Sequence, residues 1–154
     1  MGASSEAMRN GGGVPNIIRV RSFFVYSPTV FTLAPAAAPI SIPVRIDSAS
    51  DFFWIKACFM ADIAGASSLD GTRILPNWDV QLQQGGADKN LFSAPQPLTN
   101  VFGTGQLPFV LPFPQKLVRN SELTVTCSTR EVAVTLNVRL SFIGWKDYGE
   151  LRTG

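Results

Sequence analysis

The side chains able to do acid–base chemistry in this sequence are a few carboxylates and two thiols, because the chain contains no histidine. Asp62 with Asp70, and Asp79 with Asp88, are the pairs whose spacing could supply the two carboxyl groups of a glycosidase. Each lies beside a turn, where solvated carboxylates are common. Without histidine, Ser-His-Asp and Cys-His nucleophile pairs and imidazole metal ligands are excluded. We predict that the protein is not an enzyme and keep carboxylate-only catalysis as an alternative.

Cys58 and Cys127 lie within apolar runs, where cysteine behaves as a small buried hydrophobe. Two thiols without histidine cannot complete a tetrahedral metal site, so we expect no metal. They allow one disulfide at most, and the sequence leaves open whether they pair. The segment Gly103-Thr104-Gly105 lacks the third glycine of a dinucleotide fingerprint, and prolines follow it, so no cofactor is expected.

The composition favours a single apolar domain. The 154 residues are enough for one domain with a hydrophobic core, and 45% of them are hydrophobic. Only 16% are charged and the net charge is +2, so the clustered basic residues that neutralise a nucleic-acid backbone are missing. Residues 22–43 carry no charge but include four prolines, which disfavour a membrane-spanning helix. We therefore predict neither a nucleic-acid nor a membrane partner.

Apolar and polar residues alternate along several segments, as they do in strands with one buried face. Examples are residues 40–46, where Pro43 predicts a sheet edge, and residues 78–83. Residues 123–128 and 132–142 are joined by a short polar link and predict a central hairpin. Residues 51–63 are apolar on both faces, which predicts a central strand buried on both sides.

These patterns give strands separated by turns and no convincing helix. The sequence therefore predicts an all-β fold, an antiparallel β-sandwich or jelly-roll-like single domain over residues 17–154. Residues 1–16 are small, polar and glycine-rich, which predicts a flexible N-terminal arm without the apolar segment of a secretory signal.

The arm and residues 90–116 are the segments expected to contact other subunits. Residues 90–116 combine prolines and glycines with apolar side chains, so an irregular loop would carry an apolar surface that needs a cover. The alternative is that this loop folds back over its own sandwich. The candidate subunit contacts are Val14, Ile17, Phe102, Phe109, Leu111 and Phe113.

The stretch LFSAPQPLTNVFGTGQLPFVLPFPQKLVRNSELTVT, with FFVYSPTVF and DFFWIKACF upstream, resembles the small decoration (cement) proteins on the heads of tailed bacteriophages. The resemblance covers most of residues 17–142. It implies a β-sandwich or jelly-roll subunit that self-associates as a dimer or trimer. It also implies assembly in the host cytoplasm, a place on the outer capsid surface of the virion, and the major capsid protein as partner. It implies no catalytic residues.

A second interpretation comes from a different class of protein. A carbohydrate- or receptor-binding module of a phage tail or fibre would use an exposed tryptophan, Trp78 or Trp145, to stack on a sugar. Both interpretations predict the same fold and differ in which surface is exposed.

Overall fold

The computed structural model describes residues 16–65, 74–85 and 89–152, whose regular secondary structure consists of strands and one short helix. The domain is therefore all-β, as the alternation predicts. The elements in chain order are β1 (Asn16–Tyr26), β2 (Phe31–Leu33), β3 (Ile40–Arg45), β4 (Phe52–Ile63), β5 (Trp78–Gln84), β6 (Lys89–Asn90), β7 (Gln96–Pro97), α1 (Leu98–Val101), β8 (Phe109–Leu117), β9 (Glu122–Thr129) and β10 (Leu136–Arg152).

The strands form two antiparallel sheets. The first has the order β1-β10-β4-β8 with β2 beside β10, and the second has the order β3-β9-β5-β6 with β7 beside β5. The pairs are nested along the chain: β1 with β10, β3 with β9, β4 with β8, and β5 with β6 and β7. This is one long hairpin rolled up so that successive pairs alternate between the sheets, which is the jelly-roll arrangement.

One hydrophobic core lies between the two sheets, built from every second residue of their strands. The inward residues of β9 (Leu123, Val125 and Cys127) face those of β10, and each is at most 1% exposed. Aliphatic and aromatic side chains share this core, and their burial stabilises the fold. The largest of these buried rings belong to Trp78, Phe31, Phe52, Phe102 and Phe142.

The predicted hairpin between residues 123–128 and 132–142 is wrong. β9 and β10 each lie inside a sheet, but in different sheets, and residues 130–135 cross from one to the other. Val132, on this crossing, is 91% exposed although the alternation placed it in the core. Alternation along a strand identifies its inward face and carries no information about which strand pairs with it.

The structure confirms other strand predictions and corrects two. β3 is an edge strand, as Pro43 predicts, and β4 lies inside the first sheet between β10 and β8. Only one face of β4 is fully buried, however, and the other is half-buried. Residues 90–116 are also more regular than predicted, since residues 109–117 pair with β4 as β8. Pro112 and Pro114 are tolerated there because β8 is an edge strand.

β4 contains a β-bulge at Ile55. Trp54 points inward before the bulge and Ala57 after it. The extra residue therefore shifts by one position which residues of β4 face the core. The indole N–H of Trp54 donates to the carbonyl of Lys56 at 2.7 Å. This bond satisfies a backbone acceptor at the point where the ladder is irregular.

Gly144 lies on β10 opposite this bulge. A β-carbon at this position would come within 1.9 Å of the carbonyl oxygen of Phe53, which belongs to the backbone and cannot rotate away. The absence of a side chain at Gly144 therefore allows β4 and β10 to approach and fixes their register.

Lys146 is a charged residue buried at 0% exposure. Its ammonium donates to a carboxylate oxygen of Asp47 at 2.5 Å and lies 4.1 Å from the ring centroid of Phe24 and 4.9 Å from that of Tyr26. Asp47 follows β3 of the second sheet and Lys146 lies on β10 of the first, so the ion pair joins the two sheets.

The surroundings of this pair stabilise the charged form of both groups: they lower the pKa of Asp47 and raise that of Lys146. The hydrogen bond from Lys146 lowers the pKa of Asp47 below its ordinary 3.8 and outweighs the opposing effect of desolvation. Desolvation opposes the charge of Lys146, but the hydrogen bonds with Asp47 and Tyr26 outweigh it and raise the pKa of the ammonium.

Cys58 and Cys127 are free thiols, which settles the pairing that the sequence left open. Burial raises the pKa of Cys127 to about 12, so this thiol stays protonated and unreactive. The predicted N-terminal arm, residues 1–16, lies outside the described residues except for Asn16, which begins β1.

We expect Gly144→Ala to destabilise the protein by about 1–3 kcal/mol, because the new methyl group overlaps the Phe53 carbonyl and the strands must move apart. Gly105→Ala is the matched control, since a β-carbon there meets nothing within 4 Å. Urea unfolding of the two variants and the wild type measures the difference. Equal stability of both variants would contradict the proposed close approach.

We expect Asp47→Asn to lower the free energy of unfolding at pH 7 by about 1–3 kcal/mol, since it leaves a buried ammonium without its charged partner. Because the pKa of Asp47 is lowered by folding, its contribution is present above pH 3.8 and is lost as the pH falls further. The difference in stability between wild type and variant should therefore shrink in acid. A difference that is the same at pH 7 and pH 2.5 would show that the ion pair does not contribute.

Candidate protein-binding surface

The outer face of the first sheet, on the side away from the core, carries an aromatic row. Phe23 on β1 is opposite Trp145 on β10, which is opposite Phe53 on β4, and Phe53 is opposite Lys116 on β8. Residues directly opposite each other on one face of a sheet are in contact distance. Four neighbouring strands thus place three aromatic rings and one ammonium in a line.

Two of the three rings in this row are packed together. Phe53 and Trp145 are stacked with centroids 5.4 Å apart and an interplanar angle of 15°. The guanidinium of Arg21 lies 4.6 Å from the centroid of the Trp145 ring. Phe23, at the outer end of the row, is 76% exposed. The row therefore combines a rigid, half-buried centre with an exposed aromatic ring.

A second row follows the first along the sheet: Val25, Ile143, Lys56 and Val110. Val110 is 59% exposed, and Phe113 on the same strand is 67% exposed. Phe113 lies in a bulge of β8, because β8 has more residues between Val110 and Gln115 than β4 has between their partners. Exposed apolar side chains thus occur at the β8 edge as well, with Lys56 between Val110 and Ile143.

The outer face of the second sheet is different. Apart from Pro43, its outward residues are hydroxyl, amide and charged side chains, and Ser41 and Thr126 hydrogen-bond to each other at 2.7 Å. This is the usual polar surface of a half-solvated antiparallel sheet. The outward residues of its three longer strands are Ser41, Pro43 and Arg45 on β3, Glu122, Thr124, Thr126 and Ser128 on β9, and Asp79, Gln81 and Gln83 on β5. The apolar character is therefore specific to the first sheet.

Cations surround the apolar face. Arg21 lies 3.8 Å from a carboxylate oxygen of Asp147, and its side chain is 71% exposed. Lys116 lies 3.6 Å from Asp51, whose pKa is lowered chiefly by the backbone N–H of Arg119. Ion pairs this exposed contribute little to stability. Because these ion pairs are weak, an acidic rim on a partner could compete for Arg21 and Lys116.

The predicted contact residues fall in different places. Phe102 is 1% exposed and packs edge-on against Phe142 in the core, so its prediction as a surface contact is wrong. Leu111 is half-buried against the core, which supports the alternative that part of this segment covers its own sandwich. Phe109 and Phe113 are exposed by 37% and 67%. Their role as contacts stays a prediction.

The two remaining candidates are at the start of the domain. Ile17 lies in β1, opposite Leu151. Val14 lies outside the described residues. Phe23 and Phe53 on the outer face were not predicted as contact residues, and Trp145 was predicted only as a sugar-stacking residue. The signal was present, because the runs FFVY, FFW and FIGW place apolar or aromatic residues on both faces of a strand.

A groove of about 630 Å³ lies beside the apolar face, where β4 continues beyond its pairing with β8. Its described walls hold no carboxylate or lysine, so the thiol of Cys58 and the hydroxyl of Ser141 have no neighbouring base there. Arg139 is the charged residue among those that line the groove. The lining residues are Cys58, Phe59, Met60, Ala61, Ile74, Leu75, Thr104, Gly105, Gln106, Arg139 and Ser141.

The structure bears on the carboxylate pairs and the sugar-stacking tryptophans that the sequence offered as alternatives. Asp79 is held by Arg130 at 2.7 Å, while Asp70 and Asp88, the partners in the two carboxylate pairs, lie outside the described residues. Trp78 is 1% exposed, so the prediction that it is an exposed platform for a sugar is wrong.

Among residues 16–65, 74–85 and 89–152 there is no group of three or more metal-ligating side chains. In the same ranges, no helix has the length and hydropathy to cross a membrane.

Comparison with known proteins gives no relative: no protein-family model, curated protein or solved structure matches this chain.

We expect Phe113→Ser to change the free energy of unfolding by no more than about 0.5 kcal/mol, because the side chain is 67% exposed. Phe102→Ala should cost about 3–5 kcal/mol, since it empties a buried site against Phe142. Chemical unfolding of both variants tests this division between surface and core. A large loss from Phe113→Ser would place that ring in the core instead.

Proposed function

We propose that this chain is a non-enzymatic structural protein that decorates the shell of a tailed bacteriophage. In this proposal the outer face of the first sheet docks on the major capsid protein. The observation that carries the proposal is the difference between the two sheets: one outer face is polar, and the other carries the Phe23–Trp145–Phe53 row and the exposed Val110 and Phe113. Clustered exposed apolar side chains of this kind on a small domain mark an interaction site.

The chemistry of this face fits a protein partner. Aromatic side chains with few rotatable bonds are the typical anchors of protein interfaces, and charged groups belong to the rim. Here Phe53 and Trp145 form the preorganised centre, while Arg21 and Lys116 lie at the periphery. The complementary surface is apolar at its centre and acidic at its edge.

The fold agrees with this role by analogy. Jelly rolls recur in viral capsid proteins and also in lectins, so the topology alone does not choose a function. The resemblance of residues 17–142 to phage decoration proteins points to the capsid. Among the described residues, the lining of the groove beside the face consists mainly of apolar and uncharged side chains, which suits a binding role.

A sugar-binding role is less well supported by the tryptophans. Trp78 is buried, and the ring of Trp145 is stacked on Phe53 and lies beneath the guanidinium of Arg21. A sugar would have to displace the cation from the ring. A protein partner can instead pack on the row as it stands.

The test is co-sedimentation of the purified chain with shells assembled from the major capsid protein encoded in the same genome. The wild type should pellet with the shells, and the variant Val110→Glu with Phe113→Glu should bind at least about tenfold more weakly, because two charges would be buried in an apolar contact. Both positions are exposed, so the variant should remain folded.

The matched control is Ser41→Glu with Gln83→Glu, which adds the same two charges to the outer face of the second sheet. This control should bind as the wild type does. Equal weakening of both variants would indicate a nonspecific charge effect. A wild type that stays in the supernatant would reject the capsid as partner, and binding to a glycan array lost in Trp145→Ala would favour the carbohydrate-binding alternative.

A further inference from the structure

The edge strands of the two sheets are protected unequally. An exposed edge offers unpaired N–H and C=O groups to another chain, and natural proteins block it with proline, bulges or short strands. β3 contains Pro43, β7 ends at Pro97, and β8 contains Pro112 and Pro114 beside its bulge. β2 and β6 have three and two residues. Each of these edges therefore carries a blocking feature.

β1 has none of these features. It is an edge strand of eleven residues without proline, and its pairing with β10 runs from Asn16 to Tyr26 without a register shift. Within the part of the chain that the structure describes, β10 is the strand that pairs with β1. The side of β1 away from β10 is thus a long, regular template for one more antiparallel strand.

We propose that two copies of this protein dimerise by antiparallel pairing of their β1 strands, with Ser22 on the two-fold axis. This goes beyond the proposed capsid role and does not depend on it. In this register residues 18–26 of one copy pair with the same residues of the other. Antiparallel pairing with a two-fold axis keeps outward residues opposite outward residues, so each face of the sheet continues into the second copy.

The side chains of β1 are complementary to themselves in this register. Phe23 of one copy lies opposite Arg21 of the other, and the pair occurs twice because of the symmetry. Phe23 is 76% exposed, and the guanidinium of Arg21 already lies on an aromatic ring, that of Trp145. Pairing would place each guanidinium between Trp145 and a second aromatic ring.

The inward face is complementary as well. Val20, which is 39% exposed, lies opposite Phe24 of the other copy, and Phe24 already packs against the core. The partly exposed valine would gain an apolar neighbour at the point where the two sheets join.

Neighbouring registers are less favourable. A register centred on Arg21 sets two guanidinium groups directly opposite each other, which costs energy by repulsion. A register centred on Phe23 shortens the paired segment to residues 20–26 and places Arg21 opposite Val25. The register centred on Ser22 avoids the repulsion between the two Arg21 side chains. It also pairs more residues than the register centred on Phe23.

Dimerisation through β1 determines how the outer faces of the two copies are oriented. The two-fold axis of an antiparallel pair is perpendicular to the sheet, so both outer faces of the dimer point in the same direction. The two aromatic rows then form one continuous surface. A dimer would engage two sites on a repetitive shell at once, which raises its overall affinity without new contacts.

Disulfide trapping of Ser22→Cys tests the register. Opposite residues in an antiparallel pair have Cα atoms about 4.5–5.5 Å apart, within the range that a disulfide bridges. Under mild oxidation the full-length variant should become a covalent dimer on a non-reducing gel. Ser41→Cys is the matched control on the proline-containing edge β3, and wild type reports on the native Cys58 and Cys127. Both should remain monomeric on the gel.

Sedimentation equilibrium tests the dimer without cysteine chemistry. The wild type should behave as a dimer, and Phe23→Lys should weaken dimerisation at least about tenfold because it places a lysine opposite Arg21. Phe113→Lys adds the same charge at the opposite edge of the sheet and should leave the dimer intact.

A wild type that is monomeric at every concentration, or Ser22→Cys that crosslinks no better than Ser41→Cys, would overturn the proposal. Equal weakening by Phe23→Lys and Phe113→Lys would place the contact on the outer face instead of the β1 edge. These outcomes are separate from capsid binding, since a dimer that fails to bind shells leaves the pairing of β1 untouched.

Discussion

The close approach of β4 and β10 at Gly144 determines which side chains reach the core and which reach the surface. The carbonyl oxygen of Phe53 occupies the space that a β-carbon of residue 144 would need. Opposite this contact, the bulge at Ile55 shifts the phase of β4, so Trp54 and Ala57 both point inward. Phe53 therefore points outward next to Trp145, and the aromatic row depends on a contact between two backbones.

The unusual composition follows from this arrangement. A domain with 45% hydrophobic and 16% charged residues has more apolar side chains than one core between two sheets requires. Part of the remainder lies on the first sheet, where Phe23, Val110 and Phe113 are exposed, and part lies on connecting segments, as at Leu107, Val118 and Val132. The second sheet shows the ordinary pattern of polar outward residues. Among the described strands, those that carry exposed large apolar side chains thus belong to the first sheet.

Charge is used sparingly in the interior. Lys146 is buried between the sheets, where Asp47 and the rings of Phe24 and Tyr26 compensate its charge. A buried ion pair contributes little net stability, but an unpaired ammonium there would cost several kcal/mol. Other arrangements of the two sheets would leave the ammonium unpaired, so the pair favours the arrangement that brings the end of β3 to β10. This specificity complements the nonspecific attraction of the apolar core.

The fold class, most of the inward-facing residues and the edge position of β3 could be predicted from the sequence. Alternation and the missing N–H of proline are properties of a short segment and can be read without knowing its partner strand. The sequence did not determine the pairing of the strands. Phe23 and Trp145 are neighbours on the sheet although they lie far apart in the chain, and period-two alternation is the same for any partner. The adjacent segments of β9 and β10 therefore looked like a hairpin but belong to different sheets. For the same reason only the tertiary structure could assign Phe102 to the core and Phe23 to the surface, since burial depends on what the folded chain places over each ring.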